Sequence, residues 1–96
     1  MPNEPNALHL LGVVAYQIGL NEDAIELISR SITLNLNNEN SYCNLGAAYR
    51  AVERLPDAVE CYQKALGINP NFVDAYASLR NVYSQKGRSE EAVVNF

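Results

Sequence analysis

Apolar and small residues recur at helical spacing in four consecutive stretches of this chain. In the first and third stretches they are Leu8, Leu11, Gly12 and Ala15, and then Tyr42, Leu45, Gly46 and Tyr49. In the second and fourth they are Ala24, Ile25, Ile28 and Ile32, and then Ala58, Val59, Tyr62 and Leu66. Residues three and four positions apart share one face of a helix, so the pattern predicts paired amphipathic helices.

The same pattern returns every 34 residues without an insertion, as Leu11, Leu45 and Leu79 show. A fixed period of this length is typical of stacked supersecondary units. The sequence therefore predicts a single all-α domain over 1–96, built as an α-solenoid of antiparallel helix-turn-helix repeats. Its three units are 5–38, 39–72 and 73–96, the last truncated in its second helix.

These repeated residues resemble the signature of the tetratricopeptide repeat (TPR) family, which pairs Leu-Gly with aromatic residues, an alanine and a proline. The middle unit carries the whole signature, as Tyr42, Leu45, Gly46, Tyr49, Ala58, Tyr62 and Pro70. The resemblance implies that the first helix of each unit lines a concave groove. It also implies that the groove binds an extended peptide or a partner helix.

The predicted groove residues are those left on each first helix once its core face is removed. From the first unit they are Asn6, His9, Val13 and Gln17. From the second they are Asn40, Cys43, Asn44, Ala47 and Arg50, and from the third Asp74, Ser78, Asn81 and Gln85. This set is mainly polar, uncharged and rich in amides, which both donate and accept hydrogen bonds. It therefore suits an extended chain recognised mainly through its backbone.

Two more specific TPR resemblances give different outcomes. In TPR proteins that bind chaperone tails, a clamp of lysine, arginine and asparagine holds two carboxylates. The equivalent places here are His9, Val13, Asn44, Asp74 and Ser78. Only Asn44 fits, so this clamp is not predicted. Stretches 7–13, 24–28 and 69–76 look like O-linked N-acetylglucosamine transferase repeats, which implies an asparagine ladder that Asn44 fits but Leu10 and Ser78 do not.

Three residues depart from the repeat pattern. Leu36 replaces the proline at Pro70, so helices are able to fuse there and exchange hairpins. Glu53 replaces the glycine at Gly19, where a left-handed turn costs a non-glycine residue on the order of 1 kcal/mol. Arg80 replaces the glycine of the hairpin contact, and its long side chain should crowd that contact.

The end of the third unit predicts self-association. Gly87 should stop its first helix, and Ser89 should begin a second helix of about two turns. Terminal repeats need a polar outer face, but this edge carries Val93, Val94 and Phe96. We expect another copy of the chain to cover it, by end-to-end stacking or by exchange of a hairpin.

Composition argues against other classes of protein. The net charge is −4 and the basic residues are scattered, unlike the basic face of nucleic-acid binders. The apolar stretch Ala7–Leu20 is too short to span a membrane and has no targeting flank, so a cytoplasmic location is the default. Cys43, Cys61 and His9 make no metal-ligand pattern. We predict no metal, no cofactor and no enzymatic activity.

The sequence thus predicts a protein-protein interaction module that binds a protein or peptide, with neither nucleic acid nor membrane as a partner. Two alternatives stay open. One is a self-assembling structural scaffold. The other is the substrate-recruiting part of a larger glycosyltransferase.

Overall fold

A computed structural model describes residues 4–35 and 37–94, with side chains described up to Gly87. Its helices are α1 (Pro5–Gln17), α2 (Asn21–Leu34), α3 (Glu39–Ala51), α4 (Leu55–Ile68) and α5 (Val73–Val94). The described ranges contain no strand. α1 packs on α2 and α3 on α4, while α2 also contacts α3 and α4 contacts α5. This arrangement confirms the predicted all-α helical repeat fold.

Each of the two hairpins closes at a glycine. A Cβ built at Gly12 would stand 2.4 Å from Ile28 Cγ1, and one at Gly46 would stand 2.7 Å from Tyr62 Cε1. No side chain fits at either place, because carbon atoms in contact lie about 3.5–4.0 Å apart. The two glycines therefore set how closely the first and second helices of a hairpin approach.

The turns inside the two hairpins are equivalent, although one has no glycine. Gly19 has φ 90° and Glu53 has φ 61°. Past them, Leu20 N donates to Ala15 O at 2.8 Å, and Arg54 N donates to Tyr49 O at 2.9 Å. This confirms that Glu53 occupies a left-handed turn that favours glycine.

The core lies between the hairpins as two clusters. One is centred on α2 and α3 and contains Ile28 and Leu45, and the other is centred on α4 and contains Tyr62. Tyr42 and Tyr49 of α3 pack against both clusters. These two aromatic rings therefore join the first hairpin to the second, as expected of aromatic residues that fill the gap between neighbouring repeats.

Leu11 is more exposed than its place in the repeat predicts. Leu45, its equivalent in α3, is 6% exposed because α2 packs against it, whereas Leu11 is 55% exposed. Among the described residues, no helix covers the outer side of α1. The same sequence position is therefore core inside the stack and surface at its edge.

The predicted break in the third unit is wrong, because α5 runs from Val73 through Gly87 and Ser89 to Val94 as one helix. A hairpin there would place the residue equivalent to Ile28 and Tyr62 against Arg80, where the other hairpins have a glycine. With no return helix beside it, Arg80 is exposed rather than crowded. The glycine that allows the close approach in the other two hairpins is therefore missing from α5.

Two remaining predictions concern Leu36 and the C-terminal residues, which the structure describes only in part or not at all. Helix α2 ends at Leu34 and α3 begins at Glu39, so the two are not fused, and Leu36 between them lies outside the described residues. Val93 and Val94 belong to the backbone of α5, but their side chains lie outside the description, as does all of Phe96. The predicted self-association edge stays a prediction.

Candidate functional site

The candidate site is the surface formed by α1, α3 and α5, called here the first-helix surface. α3 contacts both α1 and α5, so the three helices lie side by side. Five of the predicted groove residues are exposed, namely Asn6, Gln17, Asn40, Asp74 and Asn81. The other eight are half-buried, namely His9, Val13, Cys43, Asn44, Ala47, Arg50, Ser78 and Gln85. The exposed members are open to solvent, and the half-buried members, called here the floor residues, are partly covered by their neighbours.

His9 joins α1 to α3 through both nitrogens of its ring. Nδ1 lies 2.6 Å from Ser41 Oγ, and Nε2 lies 3.0 Å from Asn44 Nδ2. Burial lowers the pKa of His9 below its usual value. A neutral imidazole has one donor and one acceptor, and here both are used inside the chain. The structure thus brings together His9 and Asn44, two of the predicted site residues, as a fixed pair.

A second polar group joins α3 to α5. Ser78 of α5 lies near enough to Cys43 and to the hydroxyl of Tyr62 to lower the pKa of both, and the Asp74 carboxylate lies close enough to affect the thiol. Burial raises the pKa of Cys43, the nearby Ser78 hydroxyl lowers it, and the Asp74 carboxylate raises it further. Three predicted site residues, Cys43, Asp74 and Ser78, therefore meet at this junction.

Tyr62 lies beneath that junction with 1% of its surface exposed. Burial raises the pKa of Tyr62 to about 12, Cys43 adds to the rise, and Ser78 and the Arg50 guanidinium oppose it. The hydroxyl therefore stays protonated at neutral pH. Arg50 thus lies near the polar tip of Tyr62 and provides positive charge to a surface on which Asp74 provides negative charge.

Neither cysteine has the character of a nucleophile. Burial raises the pKa of Cys61 to about 12. The carboxylates of Glu60 and Asp57 add to this rise, and the charge of Lys64 opposes it. Since the thiolate is the reactive form, a raised pKa leaves both Cys61 and Cys43 inert at neutral pH. Within the described residues, no three His, Cys, Asp or Glu side chains come together to hold a metal ion.

Two apolar edges lie outside the first-helix surface. At the α1–α2 edge, a cavity of about 340 Å³ is lined mainly by apolar side chains, with Leu11, Val14, Ile18, Leu20 and Leu27 beside Asp23 and Glu26. On α5, Val73 is 73% exposed, Tyr76 54% and Tyr83 52%. Both edges therefore leave large apolar side chains open to solvent.

The described helices do not include one of the length and apolar character needed to cross a membrane. This finding concerns those helices alone.

Ser41 and Tyr62 complete the polar contacts of the site, and sequence reasoning did not assign them to it. Ser41 is 1% exposed and takes a position filled by Ala7 and Ala75 in the other units. A hydroxyl among alanines was the available signal, because a buried polar group needs a partner. Tyr62 was predicted as a core aromatic residue, and only the fold shows that its hydroxyl lies near Ser78.

Comparison with known proteins points to one family. The family model described as "Tetratricopeptide repeat" matches residues 40–72. A crystal structure of MamA is 32% identical to this chain, with a TM-score of 0.86, and the match covers 97% of this chain and 54% of that one. This chain thus spans about half the length of MamA. Comparison with curated protein sequences gives no match.

Two structures of RPAP3 have the same fold at lower identity. The first TPR of Spaghetti (RPAP3), bound to the HSP90 peptide SRMEEVD, is 22% identical with a TM-score of 0.85 and coverages of 90% and 68%. The first TPR domain of human RPAP3 is also 22% identical, with a TM-score of 0.87 and coverages of 94% and 71%. At this identity the likeness concerns the fold alone.

Proposed function

Because this chain is a tetratricopeptide repeat protein, we propose that it is a protein-interaction module whose first-helix surface binds an extended segment of a partner protein. The observation that carries the proposal is a mainly polar surface on which several amides are exposed. Asn40 on α3 and Asn81 on α5 are exposed, and Asn44, one turn after Asn40 on α3, is half-buried. Amides at such places donate to and accept from a peptide backbone.

One amide of this surface already has a fixed neighbour before a partner binds. His9 lies within hydrogen-bond distance of both Ser41 and Asn44, so the Asn44 side chain is held in place. A preformed site loses little conformational entropy on binding, and the partner bears most of the ordering cost. The RPAP3 structure supports this proposal because there the same fold holds a linear peptide.

The chemistry of the partner differs from that of the RPAP3 peptide, which is acidic. Asp74 takes one of the places where a chaperone clamp has a basic residue, and its carboxylate repels carboxylates. We therefore propose a partner segment with little negative charge, held mainly through its main chain. The module has no catalytic role of its own in this proposal, since both thiols are inert and both His9 nitrogens are occupied.

The test is to select linear peptides from a random library on the immobilised chain and to measure the affinity of the peptides obtained. Asn40→Ala and Asn81→Ala should each weaken binding about three- to tenfold, the value of one hydrogen bond. Both side chains are exposed, so folding should not change. Gln63→Ala is the matched control, because Gln63 is exposed on α4, away from the site. Equal affinities for all variants would show that the peptides do not bind at the first-helix surface.

Self-assembly into a scaffold is the second candidate function, and the two apolar edges favour it. Tyr76 and Tyr83 on α5 and Leu11 on α1 are more than half exposed, although their equivalents in α3 lie between two hairpins. Light scattering after size exclusion should show oligomers that Tyr76→Glu disperses and Gln63→Glu does not. A monomer at high concentration would contradict this candidate. The resemblance to glycosyltransferase repeats stays a prediction.

A further inference from the structure

The hydrogen bond between Asn44 and His9 determines which side of the Asn44 amide faces a partner. Asn44 Nδ2 lies 3.0 Å from His9 Nε2. An amide nitrogen only donates hydrogen bonds, so Nε2 is the acceptor. The hydrogen of the neutral ring then belongs to Nδ1, which donates to Ser41 Oγ at 2.6 Å.

The oxygen of the same amide is left for a ligand. Since Nδ2 is turned to His9, Oδ1 is turned away from it, and within the described ranges no residue donates a hydrogen bond to Oδ1. Asn44 lies between α1 and α5 on α3, among the half-buried floor residues of the first-helix surface. The group presented there is therefore an acceptor.

We propose that His9 is a positioning residue that fixes Asn44 as a hydrogen-bond acceptor, so that the first-helix surface recognises one main-chain N–H of the bound segment. This inference rests on the proposed function and specifies the partner. At the position opposite Asn44, the segment carries a free backbone N–H. Proline or an N-methylated residue at that position is rejected, because Oδ1 would lose its only donor.

Protonation of His9 changes the group that Asn44 presents from a hydrogen-bond acceptor to a donor. A second N–H at Nε2 faces Nδ2 of Asn44, and two donors repel, so the amide turns and places Oδ1 against the ring. Asn44 then presents a donor and recognises a carbonyl group instead. The titratable groups on the elements around His9 are Glu4, the charged residues of α2, and Glu39, Cys43 and Arg50 of α3. None contributes to its lowered pKa, which burial alone causes.

The first experiment uses the free chain and needs no partner. Nitrogen-15 NMR should show neutral His9 with its hydrogen on Nδ1, and the side-chain NH₂ signal of Asn44 should shift with the same midpoint as His9 on acidification. A hydrogen on Nε2, or an Asn44 signal that ignores the titration of His9, would overturn the proposal. This result does not depend on whether peptides bind.

The second experiment uses peptides selected on the immobilised chain, each methylated at one backbone nitrogen at a time. Methylation at one peptide position should lower the affinity about tenfold, because that N–H no longer donates to Asn44. This N-methyl penalty should vanish when the peptides bind to Asn44→Ala. In His9→Phe, which keeps a ring but has no acceptor, the amide is free to turn, and the penalty should fall below about threefold. A purely structural His9 would lower the melting temperature of His9→Phe and leave the penalty intact, which would overturn the proposal.

The two experiments separate the possible failures. If no peptide is captured, the proposed function fails, and with it the recognition of a backbone N–H. The NMR result still decides whether His9 orients Asn44. If peptides bind but no N-methyl position depends on Asn44, the proposed function stands and this inference fails.

Discussion

Gly46 of α3 lies so close to Tyr62 of α4 that a Cβ added at position 46 would stand 2.7 Å from Cε1 of the ring. The first hairpin has the same relationship between Gly12 and Ile28, at 2.4 Å. The large side chain that faces the glycine differs between the two hairpins, whereas the glycine is the same in both. The close approach of the helices is therefore the property that the repeat preserves, and the third unit, with Arg80 at this place, does not form the hairpin.

Replacing Gly46 with alanine should destabilise the chain. The Tyr62 ring is fully buried, so the added methyl group should overpack the core and cost about 1–3 kcal/mol of unfolding free energy. Gly67→Ala is the matched control, because Gly67 is an exposed residue of α4 with nothing within 4 Å of an added Cβ. Gly67→Ala should raise the unfolding free energy by up to about 1 kcal/mol. Urea denaturation measures both, and equal effects would contradict the steric role of Gly46.

Glu53→Gly should stabilise the chain by on the order of 1 kcal/mol. Glu53 holds a left-handed conformation with φ 61°, which costs a residue with a Cβ about that much. Gly19 has φ 90° in the equivalent turn, so Gly19→Ala should destabilise by a similar amount. Thermal and urea unfolding of the two variants test the pair. Loss of stability in Glu53→Gly would mean that the Glu53 side chain stabilises the fold by more than its left-handed backbone conformation destabilises it.

Gly87→Ala distinguishes a continuous α5 from the hairpin that the sequence predicts. Inside a helix, alanine is favoured over glycine by about 1 kcal/mol, and nothing lies within 4 Å of a Cβ at Gly87. Alanine should therefore slow amide exchange from residue 84 to residue 90. In a left-handed turn like that of Gly19, the same substitution would speed exchange there and destabilise the chain.

Acid should destabilise the fold through His9. Its pKa is lowered from 6.5 in the folded chain, so the unfolded chain binds more protons between the two values. Stability therefore falls as the pH drops below about 6.5, and this contribution levels off below the folded pKa. His9→Gln should flatten the pH dependence of the urea midpoint between pH 7 and 5. An unchanged dependence in the variant would show that carboxylates alone cause it.

Much of the fold follows from local pattern. The 34-residue period, the apolar faces of four helices and the left-handed turn at Glu53 depend on neighbours along the chain, and the structure contains them as predicted. Such features are visible in sequence because helix periodicity and turn conformation are short-range properties.

The environment of equivalent residues depended on the tertiary structure. Leu11 and Leu45 have the same place in the pattern, but only Leu45 has a hairpin packed outside it. Gly87 has the sequence context of a turn, yet α5 continues through it as one helix.

The sequence by itself determined that this chain is a stack of helical hairpins, because the repeated apolar spacing admits one kind of packing unit. It did not determine the polar contacts of the first-helix surface. The bonds from His9 to Ser41 and Asn44 join residues 32 and 35 positions apart, and Ser78, which affects the pKa of Tyr62, belongs to a different unit from it. Such partners meet only once the helices are stacked, since direction and distance between side chains on different helices are set by packing.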